Sequence, residues 1–288
     1  MIKLQTMVDC GKSRIGGLDL NEKIMVMGSC FADNIGAKLE HAGFEVMVNP
    51  YGTLYNPVSV CNSISRLASG VGFSEEDCVE MGAGAGLICS FSHHTSFARK
   101  DKAEFLEHAN AVLNQAHDFF KDCSMMVITL GTTWCYKYIF TGEIVSNCLK
   151  IGSKMFEREA LSLSNTVALL TALVLRFPDK KFIFTVSPIR HFKDGAHENQ
   201  LSKSTLLLAV QAICDKFPDR VDYFPAYELM MDELRDYRFY ADDLVHPSEM
   251  AVNYIWEKFL EFSVSEDDKF KVLDNEKAYR RSQHRPMH

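Results

Sequence analysis

Apolar runs of four to six residues recur along the chain, and stretches with helical periodicity separate them. The runs predict five strands, at residues 24–27, 44–48, 125–130, 181–186 and 221–224. The apolar spacing predicts five helices, at residues 31–43, 102–120, 161–176, 203–216 and 248–262. Strands that alternate with helices are typical of a parallel sheet covered on both faces, so the pattern predicts an α/β fold.

Two segments depart from this alternation. The segment from about 59 to 96 has no clear period, because glycines at positions 82, 84 and 86 interrupt it, and we expect an irregular excursion or a short hairpin there. Beyond Ser265 the chain becomes charged and polar. The sequence therefore predicts one α/β domain over residues 1–264, which includes the excursion, and a peripheral tail over residues 265–288.

Composition narrows the class of protein. The chain has 288 residues, of which 47% are hydrophobic and 24% charged, and this balance is typical of a compact soluble protein with a large core. The formal net charge of -7 gives no attraction toward phosphate backbones, so nucleic acid is not expected as a partner. The basic residues Arg280, Arg281 and Arg285 are more typical of a solvated terminus than of a binding patch.

The cysteines and the apolar runs bear on localisation. The nine cysteines are an odd number without a C-x-x-C pair, which favours a reducing compartment over a disulfide framework. No run at the N-terminus reaches the length of a signal peptide, and no later run is long enough to span a bilayer. We therefore expect a cytoplasmic protein without a membrane span. The sequence does not indicate its oligomeric state.

Ligands of open parallel sheets bind outside the carboxyl ends of the strands, so the residues that follow each apolar run are the candidates for chemistry. These residues are Ser29, Gly52, the turn at 131–134, the pair Arg190 and His191, and the loop with Asp243 and His246. The set contains a hydroxyl, imidazoles and a carboxylate.

Ser29 lies where a predicted strand ends and a helix begins, and the unpaired amides and positive helix end there favour an anionic intermediate. A serine nucleophile also needs a base and a group that orients the base. Asp243 and His246 supply both within one loop, although Asp242 competes for the orienting role. Each pattern also has a structural interpretation, since serines often cap helices and Asp-x-x-His often occurs in surface loops.

The residues Gly28-Ser29-Cys30-Phe31-Ala32 resemble the motif of the GSCFA family, which is itself similar to the SGNH/GDSL hydrolase superfamily. Further blocks resemble that family in its order: Asn49-Pro50-Tyr51-Gly52, Thr129 to Trp134, Thr185 to His191, Glu198 to Lys203, Asp236 to Tyr240 and Asp243 to Pro247. The resemblance covers the chain from about residue 3 to residue 262.

This resemblance implies a flavodoxin-like three-layer α/β/α sandwich, with a parallel sheet of about five strands, and acyl-ester chemistry. It assigns Ser29 as the nucleophile and Asp243 and His246 as the base pair, and it implies that the Gly52 amide helps to form the oxyanion hole. The SGNH pattern has an asparagine in its third block, which is absent here. Either the Asn56 amide or the Thr132 hydroxyl can replace it, and a structural role in the turn is an equal alternative for each.

Arg190 and His191 follow a buried strand and can bind a carboxylate or a sugar in the same cleft, although a capped strand end is an equal alternative. His93 and His94 are adjacent and would point apart on a strand, which does not favour a metal site. We expect no metal and no cofactor.

The function predicted from these residues is a serine-dependent hydrolase that acts through an acyl-enzyme on a small-molecule or glycan ester, such as an O-acetylated glycan. An O-acyltransferase of the same fold is one alternative. A non-catalytic ligand-binding or interaction protein that has lost full hydrolase activity is an alternative from another class.

Overall fold

A computed structural model describes residues 6–283. Its strands and longer helices are, in chain order, β1 (Lys23–Gly28), α1 (Cys30–His41), β2 (Glu45–Val48), α2 (Pro57–Ser69), β3 (Val79–Glu80), β4 (Ile88–Cys89), α3 (Lys102–Asp122), β5 (Met125–Leu130), β6 (Trp134–Tyr138), β7 (Ile144–Val145), β8 (Phe156–Ala160), α4 (Leu163–Arg176), β9 (Lys181–Val186), α5 (Gly195–Lys216), β10 (Val221–Tyr223), α6 (Ala226–Glu228), α7 (Glu249–Ser263) and α8 (Glu266–Gln283). None of these helices is both long and apolar enough to cross a membrane.

Five strands form the central sheet, in the order β10-β9-β5-β1-β2, and every neighbouring pair is parallel. This is the flavodoxin-like order, in which the chain reverses its direction across the sheet between its first and third strands, here β1 and β5. The predicted α/β fold is therefore confirmed. The carboxyl ends of β1 and β5 meet at the position where such folds bind ligands.

Two apolar clusters cover the two faces of the sheet and complete three layers. One cluster contains core residues of α2, α3, α4 and α5, and the other contains core residues of α1, α7 and α8. All six residues of β5 are buried because both of its faces are covered.

The segment at 59–96 is only partly irregular, so the prediction for it was wrong at its start. α2 is a regular helix: Asn56 accepts a hydrogen bond from the Ser59 amide at 2.9 Å, Pro57 is its first residue, and Gly70 ends it at φ 64°. From Gly70 onward the segment contains only single 3₁₀ turns and the two-residue strands β3 and β4, which pair antiparallel. A second small sheet, β7-β6-β8, follows β5 directly.

The segment after Ser265 forms α8, which packs on the outside of α1. The rings of His41 and Tyr279 stack with centroids 3.6 Å apart, and the Asn275 side chain donates to the Ala42 carbonyl at 2.9 Å. Val272 is buried in the same contact. The end of the predicted tail, residues 284–288 with Arg285, lies outside the described residues.

Candidate functional site

The turn between β1 and α1 brings Ser29 to the carboxyl edge of the sheet. Gly28 has φ 135°, and a Cβ at this position would lie 2.0 Å from the Thr129 carbonyl oxygen of β5. Only glycine permits this close approach of the two strands. Ser29 itself is extended, with φ -70° and ψ 176°, and it is the N-cap residue of α1.

The Ser29 hydroxyl does not cap its helix. The N-cap serines Ser162 and Ser248 each accept a hydrogen bond from a backbone amide of the first turn, whereas Ser29 makes no such bond. Its Oγ is buried and has no hydrogen-bond partner among residues 6–283. A buried polar atom without a partner is uncommon in proteins and requires an explanation.

Asn49 supports this turn, and the sequence patterns assigned it no role. Its Oδ1 accepts the Gly28 amide at 2.8 Å, and its Nδ2 donates to Asp33 Oδ1 at 2.6 Å. One side chain therefore ties the residue before Ser29 to the first turn of α1. A polar residue directly after β2, at the start of a turn with proline and glycine, was the available signal.

Gly52 ends the same turn, and its amide is already engaged. It donates to the Asn49 carbonyl at 2.7 Å, and a Cβ on Gly52 would lie 2.2 Å from Cβ of His94. Glycine is therefore required by packing at this position. The Ser29 amide makes a longer bond, 3.3 Å to the Thr129 carbonyl, and is freer to turn toward a ligand.

Asp243 and His246 form a hydrogen-bonded pair within one loop. Asp243 Oδ1 accepts the amides of Val245 and His246, both at 2.9 Å, and Oδ2 lies 2.6 Å from His246 Nδ1. The two amides and the ring lower the pKa of Asp243 to about 2. The carboxylate occupies Nδ1, which leaves Nε2 to accept a proton. Asp242 makes no hydrogen bond to His246.

This loop lies beside α1. Pro247, which follows His246 directly, and Asn34 of α1 line one cavity. The ring of His246 also lowers the pKa of His191 across the site. The structure thus places the loop beside the helix that follows Ser29, and no hydrogen bond joins Ser29 Oγ to His246.

The two residues considered as replacements for the third-block asparagine differ in their contacts. The Thr132 hydroxyl accepts from the Trp134 amide at 3.1 Å and pairs with Ser202 Oγ at 3.0 Å, so it is engaged within its turn. Asn56 uses its Oδ1 to cap α2. Its Nδ2 makes no hydrogen bond within the described part of the chain.

Arg190 and His191 lie in the loop after β9, at the same edge of the sheet. Arg190 stacks over the Phe192 ring with its guanidinium carbon 4.8 Å from the centroid, and its buried Nε has no hydrogen-bond partner between residues 6 and 283. The His191 amide donates to Asn199 Oδ1 at 2.8 Å, and its ring packs edge-on against Tyr55.

A row of buried polar side chains on α5 supports both loops. α5 begins at Gly195, eight residues before its predicted start. The sequence pattern missed this first part because Asn199, Ser202 and Lys203 are polar and yet buried. Ser202 Oγ accepts the Thr133 amide at 2.8 Å. Lys203 donates to the carbonyls that follow β5 and β9, at 2.7 and 2.8 Å, and burial lowers its pKa to about 7.

Other chemistry has less support at this edge. Burial raises the pKa of Cys30, so its thiol stays protonated beside Ser29, and all nine cysteines are free. Among the described residues, no three His, Cys, Asp or Glu side chains are close enough together to hold a metal ion.

Comparison with known proteins gives one relationship. No curated protein matches this chain. A family model matches residues 23–259, a span that includes the β1 to α1 turn, the Asp243 loop and most of α7. Because the match covers well over half of the sequence, the chain belongs to the GSCFA family.

Proposed function

We propose that this protein is a serine-dependent hydrolase that cleaves an acyl ester, of a small molecule or an O-acetylated glycan, through an acyl-enzyme. Membership of the GSCFA family suggests a hydrolase-like function. The identity of the nucleophile, the base and the reaction is inferred from the residues at the carboxyl edge of the sheet.

The observation that carries the proposal is the state of the Ser29 hydroxyl. It is buried at the end of β1, at the reversal point of the sheet, and within the described part of the chain it has neither a cap bond nor any other hydrogen-bond partner. Burying a hydroxyl without a hydrogen bond costs free energy, roughly 1–3 kcal/mol. A hydrogen bond that capped α1 would remove that cost. A reactive role for the hydroxyl accounts for the absence of this cap bond.

In the first half of the reaction, Ser29 Oγ forms a bond to the ester carbon while His246 Nε2 takes the hydroxyl proton. Asp243 holds the other ring nitrogen and stabilises the imidazolium that results. The electron pair of the carbonyl double bond moves to its oxygen. Catalytic hydrogen bonds often form only in the substrate complex, so the serine and imidazole need to meet when the ester binds.

Collapse of this intermediate completes the acylation. The carbon–oxygen bond to the leaving alcohol breaks, the alcohol takes the proton from His246, and the acyl group remains on Ser29. Water then attacks the acyl-enzyme with the same base, which releases the acid and restores the hydroxyl. The Ser29 amide supports the negative oxygen, and the Gly52 amide can contribute if it shares its turn bond with Asn49.

Covalent labelling with a fluorophosphonate probe tests the proposal. We expect the parent protein to be labelled at Ser29, and we expect Ser29→Ala and His246→Ala to lose both the label and the hydrolysis of p-nitrophenyl acetate. Ser162→Ala is the matched control, because that serine caps α4 and lies far along the chain. Circular dichroism verifies that each variant folds.

A parent protein that is neither labelled nor active contradicts the hydrolase proposal and favours a non-catalytic binding protein. Hydrolysis that is unchanged in Ser29→Ala contradicts the assigned nucleophile. An O-acyltransferase would form the same acyl-enzyme, so the products are also analysed in the presence of acceptor alcohols. Transfer faster than hydrolysis would identify that alternative.

A further inference from the structure

The candidate site has few free donors for a negatively charged oxygen. The amide of Gly52 donates within its turn, and the amides of Gly131 and Thr132 both donate to the Tyr55 carbonyl, at 2.8 and 3.0 Å. The Thr132 hydroxyl is engaged with the Trp134 amide of its own turn and with Ser202 of α5. Ester hydrolysis needs donors at the position where the charge develops, so a donor other than these amides and this hydroxyl is needed at the edge of the sheet.

His191 has a ring nitrogen that is not used. Its Nε2 is buried and has no hydrogen-bond partner among residues 6–283. This nitrogen lies 3.4 Å from the position that a Cβ on Gly131 would occupy. Gly131 directly follows β5, the strand beside β1, so His191 reaches the turn where the resemblance to SGNH enzymes would have an asparagine.

The ring is held in place from two sides. The His191 amide is fixed by Asn199, and the ring packs edge-on against Tyr55 with centroids 6.0 Å apart. Lys203 joins the carbonyls of Gly131 and Ser187, which fixes the turn beneath the ring to the start of the His191 loop. Donors fixed before the reaction stabilise a developing charge without the cost of reorganisation.

The ring is also kept neutral. Burial, and then the charge of Lys203, lower the pKa of His191 to about 4. His246 lowers it further, and Asp194 acts in the opposite direction. A neutral imidazole carries one N–H and can donate a hydrogen bond without transferring its proton.

We propose that neutral His191 donates a hydrogen bond from Nε2 to the oxyanion that forms when Ser29 attacks an ester, in the position of the missing asparagine. The proposal rests on the hydrolase function above. It adds a catalytic residue that contacts the reacting oxygen and is distinct from the base.

Steady-state kinetics of ester hydrolysis tests the role of this nitrogen. His191→Phe keeps a flat ring but removes both nitrogens, and we expect kcat to fall about 100-fold while KM changes less than about threefold, because the hydrogen bond forms with the transition state. His191→Gln keeps a side-chain N–H and should recover part of the loss. His197→Phe, at an exposed position of α5, is the matched control and should retain the parent rate.

The outcomes separate this proposal from the hydrolase proposal. If the parent shows no Ser29-dependent turnover, the hydrolase function itself is wrong. If Ser29-dependent turnover is present and His191→Phe stays within about twofold of the parent kcat, only the donor proposal is overturned. The donor proposal is also overturned if kcat falls in Asn56→Ala and not in His191→Phe. It is overturned as well if His246→Ala keeps full activity while His191→Phe loses it, because His191 would then be the base.

A measurement on the unmodified protein guards against variants that fail to fold. Long-range ¹H–¹⁵N correlation spectra distinguish the two neutral tautomers of histidine. We expect the His191 ring to carry its proton on Nε2 near pH 7 and to remain neutral at pH 5. A proton on Nδ1 alone, or a charged ring at pH 7, contradicts the proposal.

Discussion

The side-chain nitrogen of Lys203 lies 2.7 Å from the carbonyl oxygen of Gly131, and both residues are buried at the carboxyl edge of the sheet. A second bond, to the Ser187 carbonyl at 2.8 Å, makes this lysine a link between the turns that follow β5 and β9. Both turns belong to the candidate site. The buried polar face of α5 therefore helps to fix the positions of the turns after β5 and β9, which lie outside the helix.

We expect the contribution of Lys203 to stability to grow with pH. Its folded pKa of about 7 lies below its ordinary value of 10.5, so between these values the unfolded chain binds more protons than the folded protein, and stability rises. The contribution is smallest below pH 7. Urea unfolding of the parent and of Lys203→Met at about pH 6 and pH 9 measures it. A stability difference between the two proteins that is the same at both pH values contradicts this prediction.

Ser29→Ala should not destabilise the protein. It removes a buried hydroxyl that has no hydrogen-bond partner among the residues that the structure describes, and we expect the free energy of unfolding to stay constant or to rise by about 1 kcal/mol. Ser248→Ala removes a cap bond to the Ala251 amide and should lower it by about 1 kcal/mol. Urea denaturation compares the two variants. Equal losses would mean that the Ser29 hydroxyl has a structural role after all.

Gly28→Ala tests the close contact between β1 and β5. The added methyl group would lie 2.0 Å from the Thr129 carbonyl oxygen, and we expect a loss of about 3–5 kcal/mol in the free energy of unfolding. Gly84→Ala is the matched control, because Gly84 also has positive φ but has open space around it, and it should lose about 1–2 kcal/mol. Thermal and urea unfolding measure both. Similar losses would show that backbone conformation alone accounts for the glycine at position 28.

Asp243→Asn and Asp242→Asn separate the two carboxylates of the loop. Of the two carboxylates, Asp243 is the one hydrogen-bonded to the His246 ring, so Asp243→Asn should lower kcat about 100-fold and Asp242→Asn less than about threefold. Asp243 remains ionised until the pH approaches its pKa of about 2, so protonation of this residue does not cause activity to fall above pH 4. Kinetics from about pH 4 to pH 9 tests both statements. Equal effects of the two variants would contradict the assignment of Asp243.

The sheet was predictable because its strands are buried on both faces. Continuous apolar runs such as Met125–Leu130 are visible in the sequence, and their alternation with apolar helices is enough to indicate the fold class. The position of Ser29 followed from the same pattern, since the residue after a strand of a parallel sheet lies at the ligand-binding edge. The Asp243 and His246 pair was predictable because its members are close in sequence.

The remaining features depend on contacts that a pattern of apolar residues does not reveal. Asn199, Ser202 and Lys203 look like an exposed helix face, and only the carbonyls and amides of distant loops explain their burial. Asn49 has its role because β2 ends beside Gly28. α2 had cap signals in the sequence, and they were outweighed by the glycines that follow it.

The stacked rings of His41 and Tyr279 join α8 to α1, the helix that begins directly after Ser29. Ser29 is the N-cap residue of α1, the other end of this helix contacts α8, and α8 lies beyond the span that matches the family. We therefore expect a change that displaces α8 to alter the packing of α1 and, through it, the position of the turn at Ser29. Shortening the chain after Ser265 would remove this support of α1, although it would remove no residue of the candidate site.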